Sequence, residues 1–268
     1  MKGTIIDRTI VIEITSSYRD AAQRILKEEQ DLLATIKDNT QRSALKRFEI
    51  AELMLNLASN YLVISGISQS MLGQRDENAL NEARKTLYKS VIYLEEIVTG
   101  RVDVPYSDYE EQLASIEHVG PSHRYYFVQK MGLAIDLLKS AYGDNTKWKW
   151  SFVELEGRFA AVAKNLLNLR DLIINSDPRS PHYQSTVYHL RLIKKLLAQT
   201  ADRYREKYEQ STAHVNDFKI GINFLSSLKR LNTITGSPID VIAVQKKIDV
   251  WNNKLAADIS KQQAQLKG

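Results

Sequence analysis

ALKRFEIAELMLNLASNYLVI, residues 44–64, decides how the rest of the chain is read. Ala44, Phe48, Ala51, Leu55, Ala58 and Leu62 recur at alternating spacings of four and three. That is the period of an amphipathic helix. Leu45, Ile50, Leu53, Leu57 and Ile64 sit on the other faces of the same helix. A helix apolar on most sides is enclosed on most sides. The segment is therefore expected at the centre of an N-terminal bundle.

The same period continues outward. It runs through Phe152, Leu155, Phe159, Val162, Leu166, Leu169 and Ile173, and through Tyr183, Val187, Leu190, Leu197, Ala201, Tyr204 and Tyr208. It closes the chain with Val241, Val244, Ile248, Trp251, Leu255 and Ile259. Together with the punctuation, the pattern predicts helices at 17–37, 40–70, 76–99, 122–142, 147–176, 179–211, 213–233 and 238–265. Asp177-Pro178 and Ser237-Pro238 each place a capping residue before a proline at the first helical position. Gly100 suits the residue that ends a helix. The expectation is an all-α fold of about eight amphipathic helices in one or two antiparallel bundles.

Two stretches depart from the helical period. Residues 4–15, TIIDRTIVIEIT, alternate Ile10, Ile12 and Ile14, which reads as a short strand or extended segment, with an early helical turn as the alternative. Residues 101–121 hold Pro105, Gly120 and Pro121, with five acids against Arg101 alone. They read as an acidic linker between an N-terminal bundle, 1–100, and a C-terminal bundle, 122–268. Packing as one continuous domain is the alternative.

Among 268 residues there is no cysteine, so disulfides, a thiolate nucleophile and Cys-ligated metals are excluded. The N-terminus lacks the uninterrupted apolar core of a signal peptide, and no stretch approaching about 18 uncharged apolar residues is read, so no transmembrane segment is expected. A soluble, cytoplasmic protein is expected. The charge is uneven. Residues 1–150 carry 19 basic and 21 acidic side chains, a net −2, whereas residues 151–268 carry 18 and 11, a net +7.

Chemical motifs are scarce. None of the five histidines has an acid three residues before it, and His182 and His189 lack a third ligand in sequence reach. No phosphate loop, nucleophile elbow or dinucleotide fingerprint is present. No catalytic residue, metal or cofactor is assigned, and the chain is not expected to be an enzyme.

Candidate interaction residues remain. Arg191, Lys194, Lys195 and Arg205 line one flank of a predicted helix, as phosphate binding requires, although Asp202 and Glu209 share the arc and are expected to pair with Arg205. The linker presents Tyr106, Asp108, Tyr109, Glu110 and Glu111. In NTKWKWSF, 145–152, Trp148 extends an apolar stripe if the helix starts near residue 144. If it starts at Ser151, Trp150 staples onto Leu155 and Trp148 is left free to bind. The functional expectation is a non-catalytic interaction or scaffold protein that binds a protein partner or itself as an oligomer. A nucleic-acid-associated protein using the basic half is the alternative.

Overall fold

The computed structural model describes residues 8–36, 41–144 and 146–265. Among them every regular element is helical, and the fold is all-α. The α-helices are α1 (Arg8–Ala34), α2 (Gln41–Leu72), α3 (Glu77–Val98), α4 (Glu110–Ala114) and α5 (Pro121–Tyr142). They continue with α6 (Lys149–Asn165), α7 (Leu172–Asn175), α8 (Tyr183–Lys207), α9 (Val215–Ile234) and α10 (Pro238–Gln265). A 3-10 turn lies at Tyr106–Asp108 and a π-helical turn at Tyr208–Thr212.

The chain divides into two compact units. The first comprises residues 1–99 and 110–149, the second residues 100–109 and 150–268. This division differs from the expected one, because α5 joins the N-terminal helices. Their net charges are −1 and +6.

In the first unit α2 packs against α1, α3 and α5, the central position its sequence predicts. Phe48, Ile50, Met54, Leu57 and Ile64 are all buried. By length and composition Arg42–Leu72 also suffices to cross a bilayer. Its uncharged run, residues 53–74, is longer than the sequence reading allowed, but Asn56, Ser59, Asn60, Ser65, Ser68 and Gln69 interrupt it. Here it serves as the core helix of a folded unit.

No strand forms at residues 8–15, which open α1; residues 4–7 lie outside the described residues. Ile10, Ile12 and Ile14 are exposed, while Val11 and Thr15, one turn apart, are buried. A lone strand would leave its backbone groups without partners, whereas a helix satisfies them internally. Farther along α1, Glu29 is buried and accepts hydrogen bonds from Lys89 Nζ at 2.6 Å and Tyr93 Oη at 2.8 Å.

The expected acidic linker is not an exposed loop. Tyr109, Leu113, Ile116 and Val119 are buried, while Asp108, Glu111 and Glu117 face solvent. The segment folds because its apolar residues fall at near-helical spacing beneath its acids. α6 also stops earlier than predicted. The Asn168 side chain accepts the Arg170 backbone N–H at 2.9 Å, a local turn that competes with the helix, and Ile173 is left exposed. Asp177 likewise accepts the Arg179 backbone N–H, so α8 begins at Tyr183 rather than 179. The second predicted start holds: α10 begins at Pro238, with Val241 N–H bonded to the Ser237 backbone carbonyl at 3.0 Å. The positive φ that ends α3 falls on Thr99, not Gly100.

In the second unit α9 packs against both α8 and α10. Two glycines permit close approach. A Cβ on Gly157 would lie 2.7 Å from the Tyr204 ring, and one on Gly221 would lie 3.0 Å from Ala201 O. The core gathers Ile193, Leu197, Tyr204, Tyr208, Phe218, Phe224, Trp251 and Leu255.

Candidate functional site: an apolar groove between α2 and α5

The first unit carries a groove of about 610 Å³ between α2 and α5. On α2 it is lined by Leu55, Asn56, Ser59, Leu62, Val63, Gly66 and Gln69. These positions form one helical stripe, about 21 Å long at 1.5 Å per residue. On α5, Lys130, Leu133, Leu137 and Ala141 form a second stripe of about 16 Å. Leu133 is 60% exposed and Leu137 52%. An added Cβ on Gly66 would meet nothing within 4 Å, so the α2 wall is open there.

The charged residues lining the groove are Arg75 and Lys130; no carboxylate lines it. Arg75 is engaged. Its Nε donates to Glu77 at 2.5 Å, and its Nη1 donates to the Ala141 and Tyr142 carbonyls at 3.2 and 2.7 Å. It thus ties off the C-terminal end of α5, whose dipole favours a cation there. Lys130 is exposed and forms no ion pair among the described residues.

None of the candidate interaction residues read from sequence lines this groove. Trp148 is half-buried beneath Arg84, whose Cζ stands 3.9 Å from the ring centroid, with Lys147 Nζ at 5.1 Å. α6 starts at Lys149, between the two predicted starts, and Trp150 packs against the second unit's core. Neither tryptophan is left free.

The basic row on α8 is broken up. Lys194 Nζ donates to Thr235 Oγ1 at 3.0 Å, and Arg205 pairs with Glu209 at 3.0 Å and lies over Trp251. Asp202 pairs with Lys247 rather than Arg205. Arg191 lies over the Tyr188 ring and, like Lys195, remains exposed.

The other candidates also separate. Tyr106 Oη donates to Asn168 at 2.8 Å. Tyr109 is buried, and its hydroxyl is held above its usual pKa by burial. Asp108 is exposed. Glu110 opens α4, and Glu111 lines a smaller cleft of about 370 Å³ with Arg47 and Glu96.

A buried lysine escaped the sequence reading. Lys164, 5% exposed, donates to Val102 O at 3.1 Å and lies 5.0 Å from the Tyr109 ring centroid. Ser227 donates to the same carbonyl, Asn165 donates to Arg101 O, and Arg230 pairs with Asp103 at 2.8 Å. Together these groups clasp residues 101–109 to α6 and α9. Burial pushes the Lys164 ammonium down to about 8; Arg230 adds to the effect and Asp103 opposes it. Nothing in a helical periodicity marks such a lysine, because its partner is a backbone carbonyl far along the chain.

Among the described residues no three His, Cys, Asp or Glu side chains converge as a metal site. No curated protein and no solved structure matches the chain. The family model of the TP0443 family matches residues 7–259, nearly the whole sequence, and the chain belongs to that family.

Proposed function

We propose that the protein is a non-catalytic interaction protein that receives an amphipathic helix of a protein partner in the α2–α5 groove. The observation that carries this reading is the pairing of two helical stripes with exposed Leu133, Leu137 and Val63 between them. A docked helix buries apolar residues at spacings of three, four and seven in such a groove. The charge favours the same occupant. A helix with carboxylates beside its apolar stripe meets Lys130 and the partly neutralised Arg75, and no opposing acid.

Site-specific photo-crosslinking of the full chain tests the reading. Gly66 lines the groove and its Cβ position has no neighbour within 4 Å, so benzoylphenylalanine there projects toward an occupant. The same group at Glu13, exposed on α1, is the control. The expected adducts from Gly66, in cells of the native host, map to a helical segment with apolar residues at those spacings. Absence of peptide adducts, or the same adducts from Glu13, overturns the proposal.

Nucleic-acid association is the second reading, favoured by the +6 charge of the second unit and by exposed Arg191 and Lys195. Two phosphate contacts give a slope of about −2 for log K against log salt. Titration of mixed-sequence duplex DNA at several salt concentrations is expected to show weak binding with a slope no steeper than that. A slope near −5 moves the assignment to nucleic acid.

A further inference from the structure

We infer that the helix received by the α2–α5 groove is α10 of a second copy of this chain; the inference rests on the reading above and names its partner. α10 carries apolar residues on two faces. Val244, Ile248, Trp251 and Leu255 belong to the second unit's core. On the other face Ile239 is 82% exposed, Ile242 57% and Val250 64%. Ala243 and Asn253 are exposed on the same stripe. A helix with one face already buried needs no second apolar face for folding.

The two surfaces agree in length and register. Positions 239, 242, 246 and 250 of α10 repeat the spacing of 130, 133, 137 and 141 on the groove's α5 wall, and each set spans about 16 Å. Equal i, i+3, i+7, i+11 rows allow the ridges of one helix to lie between those of its neighbours. The charges also agree. Asp240 and Asp249 flank the exposed stripe, and the groove offers Lys130 and Arg75 with no carboxylate. Lys246 lies within the stripe. Its apolar stem covers groove surface while its ammonium extends to water on the open side.

The groove and α10 are different surfaces, so each contact joins unlike faces, and two copies that exchange α10 reciprocally form the smallest closed ring. Each copy offers one groove and one helix, and copies add head to tail into a ring or an open chain. This predicts a complementation that a contact between like faces cannot give. Leu133→Glu places a carboxylate on the exposed α5 wall of the groove and leaves α10 intact. Ile242→Glu spoils α10 at an exposed position and leaves the groove intact.

Sedimentation velocity of the full chain tests the inference, with circular dichroism confirming that both variants remain helical. The wild type is expected to sediment as assemblies whose mass grows with concentration or closes at a ring. Each variant alone is expected to stay monomeric. An equimolar mixture is expected to double the monomer mass and grow no further, since one intact groove and one intact helix remain per pair. A monomeric wild type, a monomeric mixture, or an Ile242→Glu variant that assembles as well as wild type overturns the inference. The crosslinker at Gly66 separates this failure from failure of the groove itself. Adducts to residues 239–253 support α10 as the occupant; adducts only to a helix of another protein sink the inference and keep the groove; no peptide adduct sinks both.

Discussion

Phe218→Ala lowers the stability of the second unit by about 3–5 kcal/mol, the range for removing a large buried aromatic. Phe218 is fully buried on α9, and its ring meets Tyr208 at 4.9 Å and Trp251 at 5.4 Å between centroids. Truncation removes aromatic contacts on both sides and leaves a cavity between α8, α9 and α10. Relaxation is limited, because Gly221 already brings α9 against the α8 backbone at the Ala201 carbonyl. Urea unfolding followed by circular dichroism checks the magnitude. Ile173→Ala, at a 77% exposed position on α7, serves as control and is expected to change stability by less than about 0.5 kcal/mol. A Phe218→Ala loss below about 1 kcal/mol means that this aromatic cluster does not hold the three helices together.

Phe218 also marks what periodicity reveals and what it hides. The stripe ending in Tyr204 and Tyr208 and the stripe through Ile248, Trp251 and Leu255 are both visible in sequence, and both enter this core. So is the encirclement of α2, because a helix apolar on several faces has few places to lie. The segment around residues 101–121 reads as a linker for a physical reason. Its acids and prolines dominate its composition, while the buried side chains Tyr109, Leu113, Ile116 and Val119 are too few to register as a helix. The start of α1 was ambiguous because an Ile-rich run fits two periods at once, and only packing of Val11 and Thr15 separates them.

The groove was not legible at all. Its α2 wall is the polar-flecked side of a helix whose apolar residues the sequence pattern assigns to a core. Leu133 and Leu137 lie about 120° around α5, at 3.6 residues per turn, from Phe127, Met131 and Leu138, which are buried. A second apolar stripe is readable in principle, on α5 and on α10 alike, but only once the first stripe is known to be occupied. The tryptophan-lysine stretch at 146–152 shows the reverse. Its visible chemistry is consumed within the fold, by Arg84 over Trp148 and by burial of Trp150.

Lys164 gives the second large effect, and its sign runs against ordinary expectation. Its ammonium titrates near 8 in the folded chain and at its ordinary value of 10.5 when unfolded. Below pH 8 both states hold the proton, and the folded state bears the cost of a buried charge. Between pH 8 and 10.5 the unfolded state binds more protons, so stability from this group rises with pH. The full span corresponds to roughly 3 kcal/mol. Lys164→Met keeps much of the side-chain volume and cannot titrate, while Ser227 still donates to Val102 O. Urea unfolding of wild type and variant at pH 7, 8.5 and 10 isolates the group, because other titrations are common to both proteins. Wild type is expected to gain about 2–3 kcal/mol relative to the variant between pH 7 and 10. Tyr109 opposes the gain as the unfolded hydroxyl begins to ionise near pH 10, since burial raises it in the folded chain, but this contribution is common to both proteins and cancels in their difference. A difference between the two proteins that stays flat across the window, or narrows in the opposite direction, means that the ammonium is solvated and that the clasp on residues 101–109 does not depend on a buried charge.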